Sequence, residues 1–534
     1  MSTTAAPASR SASGRGPAPS SAPLLKNFQR IRYTVLLPPL VPLVICAVVA
    51  LRNPVGLIAY AQGASDWILV HFDWLFSWSC TAYLLLLAVV YVSPLGRTVI
   101  GGAGAERLLT PWRWFAITAC TTIATGILFW GIAEPIYHLS APPPAGEAEP
   151  AEFALSTLFL HWTLTPYAIY TVGGLLFALG FYSHGQPFSL STLLRPVFGP
   201  RVHVRAGAIV DALCLFALVA GMAAALGAGS LALSGGLSGY LGGAATGATP
   251  FRLAVIIGCI VAAFSVSAAT GLQRGIRLLS NYNIIGFILL AAFVLLAGPL
   301  WETVQLAGRG LLDFADNFLA RNLGIDPGIP AAWSHAWTSF YWANWYAWAP
   351  ITALFLGRLA RGYSVRRFIE VNLLFTSLFG AGWMVAFGGT ALVLDGQSGG
   401  ALTGALNAGG PEAVAYALLA QLPGLWFTAL VFLVLIFLSY VTAADSNVSA
   451  MSALCMRDVG PHSAEAPVGM KLLWGITIGV TSWVLVSFAG LDGIRLISTL
   501  GGFPAMLLFL LGAVGLARLV WKSYRGGNNR AHQP

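Results

Sequence analysis

The chain has 534 residues, of which 57% are hydrophobic and only 9% charged, and its formal net charge is +9. Soluble domains usually carry about 25% charged residues, so this composition excludes an ordinary water-exposed surface and predicts a protein embedded in lipid. The basic excess does not indicate a nucleic-acid partner, because the Lys and Arg residues lie in short segments beside apolar runs, where they set membrane orientation.

The N-terminal segment, residues 1–32, is rich in Ser, Ala, Pro, Gly and Arg, which predicts a disordered tail. It has no apolar stretch, so it does not resemble a cleaved signal. Twelve apolar runs long enough to cross a bilayer follow, near residues 33–51, 67–93, 113–137, 155–182, 206–238, 251–271, 280–301, 336–357, 368–394, 425–452, 470–490 and 494–519. We therefore expect an all-α polytopic membrane protein of about twelve transmembrane helices.

The distribution of basic residues predicts the orientation of these helices. If both termini are cytoplasmic and the loops alternate, 23 of the 28 Lys and Arg residues lie on the cytoplasmic side. This bias is the one expected of a multi-pass membrane protein whose two ends face the cytoplasm.

The third apolar run contains a pattern that is poorly suited to a continuous helix. Small and hydroxyl residues near Thr125 and Gly126 lead into Phe129–Pro135, which reads FWGIAEP. Broken helices of this kind line transport sites, although small residues also allow close helix packing. Glu134 is an acid inside the run and hence a functional candidate, or an interfacial acid with a local partner. His138 lies one turn later, but no third metal ligand is apparent and no metal site is predicted.

Two aromatic clusters lie inside the fourth and eighth runs. Trp162 and Tyr170 share a face to within about a turn, and Tyr167 is one position away. Trp345 and Trp348 are three residues apart and also share a face. Aromatic faces attract quaternary ammonium groups, so we predict an aromatic pocket for a cation between these helices. The alternative is an interfacial aromatic belt, although these clusters extend inward from the span ends.

The tenth run ends with hydroxyl residues and an acid, including Thr442 and Asp445. Such groups in an apolar helix indicate an ion or proton site. Asp445 could equally cap a helix or hold a loop.

At these residues the chain resembles the betaine/carnitine/choline transporter family, over about residues 95–520. The resemblance rests on residues 129–135, 161–162, 168–170, 340–343, 345, 348, 350, 356–362, 442 and 444–446, and also on 264–267, 274–275 and 279–281.

The family implies a LeuT-type fold with two inverted five-helix repeats, preceded by two extra helices. On this basis the expected divisions are a cytoplasmic tail (1–32), two peripheral helices (33–93), the first repeat (94–301), a periplasmic amphipathic segment (302–335), the second repeat (336–519) and a basic cytoplasmic tail (520–534). The resemblance also implies a homotrimer in the bacterial inner membrane. The substrate site is expected to contain Trp162, Tyr167, Tyr170, Trp345, Trp348, Asn344, Phe129 and Thr125.

Several positions depart from the family pattern. Family members typically have Trp where this chain has Asn344, so the pocket is more polar here. Sodium-coupled relatives have oxygen ligands where this chain has Leu218, Met222 and Ala443, and methyl or thioether groups bind sodium poorly. The coupling ion is therefore sodium or a proton, with Thr442, Asp445 and Glu134 as the ion-coupling candidates, and no cofactor is expected.

The expected function is secondary active import, by symport, of a small quaternary-ammonium or related zwitterionic solute of the choline, betaine and carnitine class. An antiporter, or a carrier of another zwitterion such as an amino acid or sulfonate, is the alternative. A channel would need a lined pore instead of a closed aromatic box. The chain has no HExxH, nucleophile-elbow or P-loop motif, so it is not expected to be an enzyme.

Overall fold

The computed structural model describes residues 30–143, 149–199, 204–240, 248–269, 273–457, 459 and 466–530. Most of the predicted N-terminal tail lies outside the described residues. Within them the chain is helical, and the β-structure consists of two isolated bridges, Ile31 with Met456 and Val99 with Ser364.

The helices follow one another with short connections. In the first half they are α1 (Tyr33–Arg52), α2 (Pro54–Val92), α3 (Pro111–Thr122), α4 (Ala124–Ser140), α5 (Pro150–Trp162), α6 (Leu164–Ala178), α7 (Val204–Tyr240), α8 (Pro250–Ala269), α9 (Gln273–Ala297) and α10 (Leu300–Leu323). In the second half they are α11 (Phe340–Leu359), α12 (Val365–Ile369), α13 (Thr376–Trp383), α14 (Thr390–Gln397), α15 (Ala401–Gly409), α16 (Pro411–Ala420), α17 (Leu425–Leu454) and α18 (Val468–Arg530). Short unlabelled helical turns extend or join them at Pro94–Arg97, Leu179–Ser183, Leu190–Leu194, Arg195–Phe198, Ala331–Ser334, His335–Ser339, Glu370–Phe375 and Met384–Gly389.

Many of these helices are membrane spans by length and composition. Eight stretches of the described residues are long and apolar enough to cross a bilayer, and the number rises to ten when each of two bent helix pairs counts as one span. Large apolar side chains such as Tyr60, Leu85 and Phe427 are more than half exposed, as expected for surfaces that face lipid. The protein is therefore an all-helical, polytopic membrane protein.

Two stretches explain why the count of twelve remains a prediction. The runs near 470–490 and 494–519 lie in one helical stretch, α18, which is interrupted only at Gly490 (φ 51°, ψ −131°). Helix α11 contains Trp, Tyr and Asn side chains and is too polar to count among the ten spans. Because most of its side chains are buried against other helices, this polarity does not face lipid.

The centre of the molecule is formed by α5, α6, α7 and α11. In the stretch Pro150–Ser183, 94% of the most apolar window is buried inside the protein, whereas the corresponding value for α1 and for α8 is only 28%. The first stretch is thus central, and α1 and α8 are peripheral.

Helix α10 turns sharply away from α9, with an angle of 107° between them. One face of α10 is buried at Thr303, Leu306 and Gly310, and a Cβ placed on Gly310 would lie 3.3 Å from Leu155 of α5. The opposite face exposes Leu311 and Leu312, among others. The helix occupies most of the predicted amphipathic segment 302–335, and its position at the membrane surface remains a prediction.

Candidate functional site

Two helix interruptions position the candidate site. The α3–α4 pair bends by 56°, and Ile123 separates the two helices. The predicted break in this run is confirmed, three residues before Gly126. Between α5 and α6, Thr163 has non-helical angles (φ −119°, ψ −115°). Ile123 itself lines the candidate site, and Thr163 directly follows Trp162, so both breaks lie at the site.

A cavity with about 530 Å³ of empty space, including its opening, lies between these helices. The lining side chains come from both segments of the broken α3–α4 helix, from α5, α6, α7 and α11, and from α18. They are Thr121, Thr122, Ile123, Gly126, Trp130, Trp162, Tyr170, Ala224, Ala225, Ala228, Phe340, Asn344, Trp345, Trp348 and Ile494.

Trp345 is the centre of an aromatic group beside this cavity. Its ring centroid lies 5.2 Å from that of Trp162, 6.0 Å from that of Tyr167 and 5.5 Å from that of Tyr170, with interplanar angles of 82°, 64° and 74°. Aromatic rings favour such edge-to-face packing. Rings at steep angles to one another form differently oriented walls, which is the geometry needed to surround a cation.

The structure brings five of the predicted substrate residues into the cavity lining: Trp162, Tyr170, Asn344, Trp345 and Trp348. Tyr167 is fully buried and packs against Trp345 outside the lining. Phe129 also lies outside it and packs edge-on against Trp130, with ring centroids 5.0 Å apart. The side chain of Thr125 lies outside the described part of the chain.

Sequence reasoning missed two aromatic lining residues, Trp130 and Phe340. A signal for Trp130 was present, because it follows Gly126 by four residues and residues at this spacing share a helix face. Phe340 begins the aromatic cluster of the eighth run and precedes Asn344 by four residues. The same spacing rule therefore places Phe340 on the face of a predicted site residue.

Asn344 gives the cavity a polar element. Its Oδ1 accepts a hydrogen bond from Ser498 Oγ at 3.0 Å, which leaves the amide group oriented by α18. Thr121 and Thr122 line another part of the same cavity. None of the lining side chains is acidic or basic, so the described cavity offers aromatic faces and neutral hydrogen-bonding groups.

Glu134 is not in the lining but lies directly behind it. Its carboxylate is completely buried and contacts four groups: His161 Nδ1 at 2.6 Å, His138 Nε2 at 3.2 Å, Trp162 Nε1 at 2.7 Å, and the hydroxyl of Tyr341. Glu134 is therefore not an interfacial acid with one local partner, because it is buried and has four partners.

The same cluster contains a set of metal-ligating atoms that the sequence did not reveal. One donor atom from each of Glu134, His138 and His161 lies within 4.8 Å of the others. His161 would be the third ligand, and it comes from a different helix, which is why sequence spacing did not show it. In the structure these atoms are hydrogen-bonded to one another.

The remaining ion-coupling candidates lie on α17, outside the cavity lining. Asp445 is buried, and its Oδ2 accepts a hydrogen bond from Ser267 Oγ at 2.7 Å. The Thr442 hydroxyl donates to backbone carbonyls of its own helix, those of Leu438 at 2.9 Å and Ser439 at 3.0 Å.

Interrupted membrane helices around an aromatic cavity define a membrane transport protein. The chain belongs to the betaine/carnitine/choline transporter family, whose model matches residues 34–525. The resemblance inferred from the motifs is therefore confirmed, as is the prediction of a transporter instead of an enzyme.

Three relatives illustrate the range of the family. The chain is 28% identical to the ectoine/hydroxyectoine transporter of Virgibacillus pantothenticus, covering 89% of this chain and 93% of the relative. It is 29% identical to the glycine betaine transporter OpuD of Bacillus subtilis, covering 89% and 91%. It is 28% identical to the high-affinity choline transport protein of Escherichia coli K12, covering 84% and 66%.

Proposed function

We propose that the protein is a secondary active transporter that imports a small quaternary-ammonium or related zwitterionic solute, of the choline, betaine and carnitine class, by alternating access. The observation that carries this proposal is the uncharged aromatic cavity centred on Trp345, Trp162 and Trp348. A methylated ammonium group is attracted to ring faces and gives up little hydration on entry. The names of the relatives, which include glycine betaine and choline transporters, agree with this class of solute.

The polar residues of the cavity suit the second half of a zwitterion. The Asn344 amide and the Thr121 hydroxyl can donate hydrogen bonds to a carboxylate, and such bonds to a charged group contribute about 1.5–3 kcal/mol. The Thr122 hydroxyl already donates to the backbone carbonyl of Thr118 at 2.8 Å. The donors at Asn344 and Thr121 also support the second candidate, an antiporter or ion-coupled carrier of a different zwitterion, because a purely methylated cation would not need those donors.

The finer architecture belongs to the same proposal. We infer twelve spans in a LeuT-type arrangement, with inverted repeats at 94–301 and 336–519 after two peripheral helices. The homotrimeric state, the bacterial inner-membrane location and the cytoplasmic position of both termini are part of this inference. The distribution of Lys and Arg supports the orientation, and the two helix breaks support the LeuT-type arrangement. The homotrimeric state is inferred from the family resemblance alone.

The proposed coupling is symport with protons or sodium, and protons are favoured. Leu218, Met222 and Ala443 offer no side-chain oxygen to a sodium ion, and Asp445, an acid of α17, is a candidate proton carrier. Uptake into proteoliposomes under an imposed proton or sodium gradient tests this. Proton coupling predicts that accumulation disappears when the proton gradient is abolished, and an unchanged uptake rate would contradict it.

The test of the solute class is a binding panel of choline, glycine betaine, carnitine, dimethylsulfoniopropionate and taurine on purified protein. We expect one methylated onium to bind the wild type, and Trp345→Ala to weaken it at least tenfold, equivalent to about 1.4 kcal/mol or more. Trp301→Ala is the matched control, because that indole is 67% exposed on α10. Binding of taurine alone, or equal effects of the two substitutions, would contradict the proposal.

A further inference from the structure

A buried hydrogen-bond cluster supports one wall of the cavity without lining it. It consists of Glu134, His138, His161, Trp162 and Tyr341, and we refer to it as the Glu134 cluster. The side chains of Glu134, His138 and His161 are fully buried. Each carboxylate oxygen contacts two groups, since Oε1 faces the two histidines while Oε2 faces the indole and the phenol.

The cluster holds both indole rings that meet at the cavity. The Nε1–H of Trp162 donates to Glu134 Oε2 at 2.7 Å, and the Nε1–H of Trp345 donates to the backbone carbonyl of His161 at 3.1 Å. An indole has a single donor and no acceptor. Each ring has therefore used its only polar group on this cluster, and its orientation is fixed by that bond.

The orientation of His161 depends on the same carboxylate. A carboxylate oxygen accepts hydrogen bonds, so Nδ1, 2.6 Å from Glu134 Oε1, carries a proton. Nε2 lies 3.1 Å from Thr338 Oγ1. The imidazole also stacks on the ring of Tyr341, with centroids 4.4 Å apart and planes 20° apart. The His161 imidazole is thus held on three sides, at the end of α5 where the backbone carbonyl of the same residue accepts the hydrogen bond from Trp345.

We infer that Glu134 and His161 are positioning residues, which hold Trp162 and Trp345 in the edge-to-face arrangement that forms the aromatic wall of the cavity. This rests on the proposed function in that the cavity is taken to bind an onium solute. It assigns Glu134 a role other than carrying the coupling proton. A proton carrier must reach water or solute during the cycle, whereas both oxygens of Glu134 already accept hydrogen bonds at a fully buried position.

The substitution that separates these two roles is Glu134→Gln. Glutamine keeps the size of the side chain but replaces one oxygen by an amide nitrogen, which donates. Its single oxygen cannot occupy both acceptor positions, so the bond to Trp162 or the bond to the Nδ1–H of His161 is lost or reversed, and the aromatic wall loses one of its fixed contacts. We expect the Kd of the best-binding onium to rise at least tenfold, whereas proton-driven accumulation persists at saturating solute. Unchanged affinity with loss of proton-driven accumulation would overturn the inference.

The matched control is Asp395→Asn, which also neutralises a buried acid. Asp395 accepts bonds from the backbone of Leu402 and Thr403 and is not in the cavity lining. We expect its onium affinity to remain within about twofold of wild type. An affinity loss as large as that of Glu134→Gln would show that general loosening of the fold is responsible, and the positioning role would be rejected.

A double-mutant cycle tests whether Glu134 acts through the indole N–H of Trp162. Trp162→Phe keeps an aromatic ring but removes the donor. If Glu134 acts by holding that donor, the double variant Glu134→Gln with Trp162→Phe binds the onium about as weakly as the worse single variant. Fully additive losses would instead indicate independent roles and would overturn the inference.

A readout without solute keeps this inference separate from the proposed function. In protein labelled with ¹⁵N at the tryptophan indoles, we expect Glu134→Gln to shift the Nε1–H signals of Trp162 and Trp345, assigned with Trp162→Phe and Trp345→Phe. A wild type that binds no onium but shows these shifts would refute only the proposed function. Unshifted signals, or one equivalent of zinc retained by purified wild-type protein and lost in His138→Ala, would refute the positioning role, because the hydrogen bonds would not then set the geometry.

Discussion

Gly126 shows how a single missing methyl group shapes the cavity. A Cβ at this position would lie only 2.8 Å from Cη2 of Trp162 and 3.2 Å from its Cζ3. Gly126→Ala therefore has to displace the indole. We expect the Kd for the onium to rise roughly tenfold, about 1.4 kcal/mol, while thermal stability changes little because alanine is the better helix former.

Gly258→Ala in α8 is the control for this substitution, since a Cβ there meets no atom within 4 Å. Its binding should equal that of the wild type. Both measurements are made by solute titration of purified protein in detergent. If Gly126→Ala binds the onium as tightly as Gly258→Ala, the indole is not held where the structure has it.

A substitution at Asn344 tests whether the cavity recognises the carboxylate of a zwitterion separately from its ammonium group. Asn344→Leu keeps the approximate size of the side chain but removes the amide from the cavity. We expect a carboxylate-bearing solute such as glycine betaine to lose about tenfold in affinity, as for one hydrogen bond to a charged group, and choline to lose much less. Competition binding of the two solutes measures the difference.

The matched variant for Asn344 is Ser498→Ala, which removes the hydroxyl that donates to the Asn344 amide oxygen but leaves the amide in place. Its effect on glycine betaine should be smaller than that of Asn344→Leu. Equal losses for choline and glycine betaine in Asn344→Leu would mean that the amide does not select for the carboxylate.

At the scale of single elements, the sequence predicted one of the two helix breaks at the site and missed the other. The small residues before Gly126 indicated the break in the third run. The break at Thr163 was missed, although Pro166 is the third residue of α6. The first four N–H groups of a helix have no partner within it, so a proline there removes nothing. The proline was thus a usable sign of a helix start.

The members of the aromatic group could be predicted from the sequence, but which of their side chains face the cavity could not. Helical spacing placed Trp345 and Trp348 together and Trp162 near Tyr170. Whether Phe129 or Trp130 faces the cavity depends on how α4 is rotated by its neighbours, which no local pattern encodes. Three of the four partners of Glu134 likewise come from α5 and α11, so only the packed structure reveals them, whereas His138 lies one turn away on α4 itself.

The long helical stretch α18 depends on one residue for its interruption. Gly490 has φ 51° and ψ −131°, a conformation that is strained for any residue with a Cβ. We expect Gly490→Ala to lower the free energy of unfolding by about 1–3 kcal/mol, measured by thermal unfolding in detergent. Gly469→Ala in the same stretch, where a Cβ meets nothing within 4 Å, should leave stability unchanged or slightly raised. Equal melting temperatures for both variants would contradict the strain argument.

At the scale of the whole molecule, the short segment before α1 joins distant helices. The guanidinium of Arg32 forms an ion pair with Asp211 of α7 at 2.7 Å and donates to the carbonyl of Leu454, the last residue of α17, at 2.9 Å. The backbone N–H of Arg32 also donates to the carbonyl of Cys455 at 2.7 Å. One residue therefore ties α1 to helices that belong to both proposed repeats.

This connection predicts a large stability effect at Asp211, whose side chain is fully buried. Asp211→Ala leaves the Arg32 guanidinium, the Ser189 hydroxyl and the Leu190 N–H without their shared acceptor. Removing one partner of a buried ion pair costs about 3–5 kcal/mol, and because the Arg32 side chain is 21% exposed we expect the lower end of that range.

A double-mutant cycle between Arg32→Ala and Asp211→Ala should therefore give a coupling energy of about 1 kcal/mol or more, from thermal or denaturant unfolding in detergent. The matched cycle uses Arg309 and Glu152, an ion pair whose arginine is 56% exposed, and such pairs contribute about 1 kcal/mol or less. A coupling at Arg32–Asp211 no larger than in this exposed pair would mean that the segment before α1 merely lies on the bundle. A larger coupling energy would mean that the ion pair stabilises the packing of this segment. Any relative movement of the two proposed repeats would then have to break the contacts of Arg32 or move the segment with one repeat.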